Sequence, residues 1–103
     1  MKAIWESKAV NGRRQIANYI LNKFGEKAKK NFMLEIQDKI RLLKNNPYMS
    51  PIEPLFDDRA RTYRSIFINR RSKMVYYIED DVIQIAGFWD CRCDPVAAAK
   101  EVE

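Results

Sequence analysis

Hydrophobic residues recur with two different periods along this 103-residue chain. Lys2-Ala3-Ile4-Trp5 is a short apolar run that stops at Glu6-Ser7 and predicts a first strand. Beyond it, Val10, Ile16, Ala17, Ile20, Leu21 and Phe24 follow at three- and four-residue spacing, the stripe of an amphipathic helix. Ser7 is the natural N-cap for that helix. Gly12 interrupts the stripe at a modest cost in propensity and reads as an irregular first turn. Phe24-Gly25 ends the helix, because glycine accepts the left-handed conformation after a helix C-terminus. Glu26 then opens a second helix with an acid near the positive end of the dipole. Its stripe is Ala28, Phe32, Ile36, Ile40 and Leu43, widened by Met33 and Leu42. Lys44-Asn45-Asn46-Pro47 supplies the stop, and a joint of one glycine makes the two helices an antiparallel hairpin.

The stretch from Asn46 to Arg61 is punctuated by Pro47, Pro51 and Pro54 and reads as a loop. Period two then takes over. Thr62 to Asn69 sets Tyr63, Ser65 and Phe67 against Arg64, Ile66 and Ile68. Asn69-Arg70-Arg71-Ser72 turns into Lys73 to Glu79, and Glu79-Asp80-Asp81 turns into Val82 to Trp89. Rich in β-branched and aromatic residues and joined by short turns, these three segments predict an antiparallel meander. Asp94-Pro95 followed by Val96-Ala97-Ala98-Ala99-Lys100 predicts a capped terminal helical turn. The fold class is α+β: a four-stranded sheet with a helical hairpin on one face, in a single domain spanning residues 1–103. The opposite face is expected to be open to solvent, a partner or a substrate. Trp5 is assigned to the core. Of Phe88 and Trp89, one should pack inside and the other meet a partner.

Charge adds a second layer. The chain holds 19 Lys plus Arg against 14 Asp plus Glu, for +5, and has no histidine. Residues 1–45 carry a net of +7 and are mostly lysine among their cations; residues 46–103 carry a net of −2, yet seven of their eight cations fall between Arg59 and Arg92. Arginine is favoured where phosphate or carboxylate is recognised in a plane. A basic surface suits nucleic acid or an acidic protein; a charge of +5 is also what solubility alone would ask for. Without histidine the commonest zinc ligand and the readiest neutral-pH proton shuttle are both missing. Cys91 and Cys93 are too close in sequence for an unstrained disulfide and too few for a metal site, so they read as reduced thiols. No cofactor is called for. No apolar run approaches the roughly 18 residues of a membrane span, and the first six residues have no signal-like apolar region. The expectation is a soluble, cytoplasmic protein.

In this order of elements the chain resembles the RelE/ParE superfamily of bacterial type II toxins, particularly the plasmid stabilization branch. The likeness lies in Ile4-Trp5-Glu6-Ser7-Lys8-Ala9, in Ile16-Ala17-Asn18-Tyr19-Ile20 and Phe24-Gly25-Glu26-Lys27-Ala28, and in Leu42-Leu43-Lys44-Asn45-Asn46-Pro47. It continues through Tyr63-Arg64-Ser65, Lys73-Met74-Val75-Tyr76-Tyr77 and Phe88-Trp89-Asp90-Cys91-Arg92-Cys93-Asp94-Pro95. The resemblance implies a growth-inhibiting toxin silenced by a cognate antitoxin with an acidic tail. It implies two classes of target: translating ribosomes, where RelE-like members cut messenger RNA, or DNA gyrase, which ParE-like members poison without nuclease activity.

Cutting RNA through its 2′-hydroxyl needs a proton acceptor, cations for the pentavalent phosphate and a donor for the leaving oxygen. Laid on the RelE-like pattern, Arg64, Lys73 and Arg92 fall at its basic positions, Arg64 and Arg92 as phosphate clamps and Lys73 sharing their charge. The competing assignment makes them solvated strand-end cations or antitoxin anchors. Arg61, Arg70, Arg71 and Trp89 are the candidates for partner contact. The chain departs from the pattern where it matters for a nuclease. Ile66 stands at the second basic strand position, Ala97-Ala98-Ala99 replace a terminal tyrosine or histidine, and the loop before the meander carries Asp57-Asp58. Glu53, Asp90, Tyr76 and Lys73 remain as acid–base candidates, with Asp90 also suited to pairing Arg92. These departures favour a ParE-like inhibitor of a protein target over a ribosome-dependent endoribonuclease.

Overall fold

The computed structural model describes residues 1–92, 95–100 and 102. Its elements are β1 (Lys2–Trp5), α1 (Ser7–Phe24), α2 (Glu26–Asn45), a 3-10 turn (Pro54–Phe56), β2 (Arg64–Phe67), β3 (Ser72–Glu79), β4 (Val82–Asp90) and α3 (Pro95–Lys100). The strands lie in the order β1-β4-β3-β2. β2, β3 and β4 form the expected antiparallel meander, and β1 joins β4 in parallel, so the sheet is mixed. That parallel step is possible because the whole hairpin serves as the crossover between β1 and the sheet.

Both helices place their stripes on one sheet face. Ala9 and Ala17 of α1 and Phe32, Ile36 and Leu43 of α2 are buried with Ile68, Met74, Tyr76, Ile83, Ile85 and Phe88, and half-buried Trp5 packs against them. Gly25 joins the helices at φ 96°, ψ −179°, a backbone state that only glycine adopts at low cost. Two details correct the sequence reading. Ser7 is the first helical residue and not the cap; Glu6 holds the cap position without a side-chain capping bond, its carboxylate instead accepting from the Tyr77 hydroxyl at 2.8 Å. Gly12 marks no irregularity, since α1 is continuous through it. It is glycine because α1 presses on β4 there: a Cβ at this position would fall on the Phe88 carbonyl oxygen.

The first meander strand is shorter than its alternating pattern, Arg64–Phe67 instead of Thr62–Asn69. A bulge explains a second feature that alternation alone hides. Val75 pairs with Gly87 while Tyr76 pairs with Ile85, leaving Ala86 as the extra residue of β4. The slip turns Phe88 toward the helices, beside Phe32 at 5.9 Å and Trp5 at 6.0 Å between ring centroids. Trp89 is carried to the other face.

That other face is not left bare, which corrects the expectation of an open surface. Tyr63, Val75, Tyr77 and Ala86 form a second buried cluster closed by Phe56 of the 3-10 turn and by Ala99 and Val102, with Leu55 and Trp89 at its margin. Arg59 holds this lid, donating to the Ala99 carbonyl at 3.0 Å and to that of Val102. Its guanidinium lies 4.6 Å from the Phe56 ring centroid. The long loop therefore folds onto the sheet. The helical pattern after Asp94 is met by α3, whereas Asp94 itself, assigned as its cap, and Cys93 lie outside the described residues. Among the described residues no helix is long and apolar enough to cross a membrane.

Candidate functional site

The three cations suited to phosphate are held in three separate settings. Arg64 pairs across the ladder with Tyr76 and so points to the helix-covered face. Its Nη1 donates to the Ser50 carbonyl at 2.7 Å and to that of Tyr48 at 3.4 Å, and its guanidinium lies 5.3 Å from the Tyr48 ring centroid. Those bonds, with the bridge between Ile52 and Arg64, tie the loop to the sheet edge. Lys73 pairs with Phe67 and Trp89 on the opposite face. Its ammonium forms an ion pair with Glu53, whose side chain is 2% exposed. A second oxygen of Glu53 accepts from the Leu55 amide at 3.3 Å, capping the 3-10 turn. The acid–base candidate Tyr76 is buried in the core, its hydroxyl donating to the Pro47 carbonyl at 2.8 Å, and burial raises its pKa.

Arg92 stands apart from both. Asp90 grips it through Nε at 3.1 Å and Nη2 at 2.7 Å, and accepts from the Arg92 amide at 2.8 Å. These bonds hold the Asp90 carboxyl below the usual carboxylate range and raise the arginine. The guanidinium lies 5.5 Å from the Tyr19 ring centroid, and the Tyr19 hydroxyl accepts from Lys23 Nζ at 3.0 Å. The lysine bond, and then Arg92, lower the Tyr19 phenol.

Of the partner candidates, Arg70 and Arg71 join Arg92. Asn69 Oδ1 accepts from the Arg71 and Ser72 amides at 2.8 and 2.9 Å, an Asx turn that fixes the tip between β2 and β3. The Arg71 carbonyl accepts from the Cys91 amide at 2.6 Å, and Ser72 pairs with Asp90. Both arginines are consequently set beside the end of β4. Arg61 lies elsewhere, 3.7 Å from Glu79 and 4.5 Å from the Tyr77 ring centroid. Trp89 is half-buried, 6.3 Å from Phe56 between centroids, and belongs to the margin of the second cluster.

Together these elements enclose a groove of about 370 Å³. Ile16, Tyr19, Ile20 and Phe24 of α1 and Ala28, Phe32 and Glu35 of α2 form one side; Asn69 to Ser72, Asp90 and Arg92 form the other. Its apolar interior could have been read from the helical stripes. Its rim could not, because the turn at residues 69–72 is far in sequence from both helices and only the fold brings it beside them. Among the described residues no group of His, Cys, Asp and Glu gathers to hold a metal ion.

Comparison with known proteins points one way. Two solved structures share the fold: the YoeB dimer from Staphylococcus aureus matches with a TM-score of 0.57 at 20% identity, over 84% of this chain and 92% of that one. A YoeB/ParE toxin from Agrobacterium tumefaciens matches with a TM-score of 0.59 at 20% identity, over 87% of this chain and 98% of that one. No curated protein sequence matches significantly. The family model described as the ParE toxin of type II toxin–antitoxin systems matches residues 3–95. The chain thus belongs to the ParE toxin family, as the toxin half of a type II pair whose partner is a cognate antitoxin.

Proposed function

We propose that this toxin arrests growth in the cytoplasm by binding a protein target, DNA gyrase being the foremost candidate, and not by cutting RNA. The observation that carries this reading is the position of Arg64 and Lys73 on opposite faces of the sheet. A pentavalent phosphate needs its cations convergent within hydrogen-bond reach of one point. Here two of the three are already neutralised, Lys73 by Glu53 and Arg92 by Asp90, and the third supports a loop through backbone carbonyls. The test is supercoiling by purified gyrase with the toxin in micromolar excess. Inhibition relieved by antitoxin supports the reading, and undiminished supercoiling sinks it.

One observation favours a second reading. Glu53 and Lys73 bring an acid and a base together on the sheet, and a ribosome-bound message would have to engage that pair. Primer extension on translating messages would then show codon-phased cuts that vanish on substituting Arg64, Lys73 and Arg92. A message left intact removes this alternative.

A further inference from the structure

The faces that the two helices turn away from the sheet differ in chemistry. α1 carries four cations and no acid, and α2 carries six cations against three acids. Along the outward side of α1 the residues are amides: Asn11, Gln15, Asn18 and Asn22 follow at steps of four, three and four, and all are exposed. Ala9, Ile16, Ala17 and Ile20 of the same helix pack inward. Among the described residues no side-chain hydrogen bond occupies any of the four amides. Arg14 is exposed beside them, whereas Arg13 is turned away, its guanidinium 4.5 Å from the Trp5 ring centroid.

α2 supplies the charge. Lys27, Lys30 and Lys44 are exposed and, among the described residues, form no ion pair. The acids of α2 are placed elsewhere or engaged: Glu26 opens the helix, Glu35 lines the groove, and Asp38 holds Arg41 at 3.0 Å. Hydrogen-bonding capacity thus lies on one helix and positive charge on its neighbour.

Four kinds of partner can be compared with that division. A lipid surface needs a broad apolar face, which the amide row does not offer. An acidic protein would meet the lysines and leave the amides without a role. Single-stranded nucleic acid favours aromatic platforms for its bases, and the row has none. Duplex DNA uses both halves, its phosphates taking the cations and its base edges matching Asn, Gln and Arg. The dimensions agree. From Asn11 to Asn22 the helix rises about 16 Å, roughly five base-pair steps. A major groove about 12 Å wide admits one helix, and a neighbour packed about 8–10 Å away then falls over the phosphates at its edge.

We propose that the outward face of the helical hairpin binds duplex DNA, α1 seated in the major groove through its amide row and α2 lying along the flanking phosphates. Arg14 adds the forked donor that suits a guanine edge. The contact belongs to the toxin chain itself and does not depend on which target it arrests.

The test is fluorescence anisotropy of the full-length toxin with a labelled duplex of about 20 base pairs, at about 50 and 200 mM salt. Saturable binding is expected, weakening roughly a hundredfold across that range if about four phosphates are neutralised. Lys27→Gln combined with Lys30→Gln should lower the salt slope by about two and weaken binding to every sequence alike. Asn18→Asp combined with Asn22→Asp sets two carboxylates in the amide row and should abolish binding, while circular dichroism stays that of the wild type. Lys100→Gln, on α3, removes charge away from this face and should bind as the wild type does. The matching single strand and polyglutamate serve as competitors. No saturable binding at the lower salt would overturn the proposal, as would full binding by the Asn18→Asp, Asn22→Asp variant. So would a loss in Lys100→Gln as large as in the α2 variant, or displacement by the single strand or polyglutamate more effective than by unlabelled duplex. No gyrase enters the assay, so its outcome is read apart from the target assignment.

Discussion

Replacing Gly12 by alanine sets two physical effects against each other, and their magnitudes decide the sign. Alanine inside a helix is favoured over glycine by about 1 kcal/mol, so propensity alone predicts a more stable protein. The structure predicts the opposite. The added Cβ would fall on the Phe88 carbonyl oxygen and 3.0 Å from its carbonyl carbon. β4 lies between β1 and β3, its backbone held by ladders on both sides, so the obstacle cannot rotate away as a side chain would. The helix must back off, loosening Ala9, Ala17 and Phe88 from one another. Overpacking of this kind costs roughly 1–3 kcal/mol, and a rigid backbone obstacle belongs at the upper end. The net expectation is a loss of about 2 kcal/mol, or a melting temperature lower by roughly 8–16 °C for a domain of this size. Urea unfolding followed by circular dichroism measures it, with an unchanged slope showing that only stability moved. Asn18→Ala, on the exposed side of the same helix, is the control and should gain a few tenths of a kcal/mol. If Gly12→Ala matches or exceeds the wild type in stability, the close approach of α1 to β4 is wrong.

The buried pair gives a second prediction: Lys73→Met leaves Glu53 without its cation at 2% exposure and should cost about 3 kcal/mol. Adding Glu53→Gln should recover most of that loss, as a double-mutant cycle will show. Gly25→Ala meets no neighbour within 4 Å yet must hold φ near 96°, so backbone strain alone should cost about 1–3 kcal/mol in thermal melting. In alkali, burial and then the hydrogen bond to Glu6 push the Tyr77 phenol up to about 12 from 10.0. Because the folded value is the higher one, this stabilisation is complete below pH 10 and fades as pH rises through about 12. Phenolate absorbance should show Tyr77 titrating late, and Tyr76, which burial also raises, delayed as well. In acid, the lowered Asp90 carboxyl works in the other direction. Its stabilisation is complete above the unfolded carboxylate value and fades as pH falls through the folded one; Arg92→Ala should remove that part of the acid limb of a stability–pH curve.

Much of the architecture was legible before any coordinates. Phe32, Ile36 and Leu43 sit inside as their helical spacing requires, and the β3 and β4 segments pair as their alternation requires. Gly25 separates the helices where a positive φ is needed. The groove was half legible: its floor follows from the two stripes, but nothing local associates Tyr19 with Arg92, 73 positions later. Arg64, Lys73 and Arg92 all read as strand-end cations with the same competence. Parity places the first two on opposite faces, and the acids Glu53 and Asp90 then determine which charges are spent.

Local pattern, then, determined which segments are helix or strand and which side of each is apolar, because those choices depend on neighbours a few residues away. Only the tertiary structure decided that the second sheet face is closed, through Phe56 and Ala99 meeting over Tyr63 and Tyr77. It also decided, through a single extra residue at Ala86, that Phe88 and not Trp89 enters the main core. Those outcomes depend on contacts between distant segments, where one residue of register exchanges the two faces of a strand and leaves the alternating sequence unchanged.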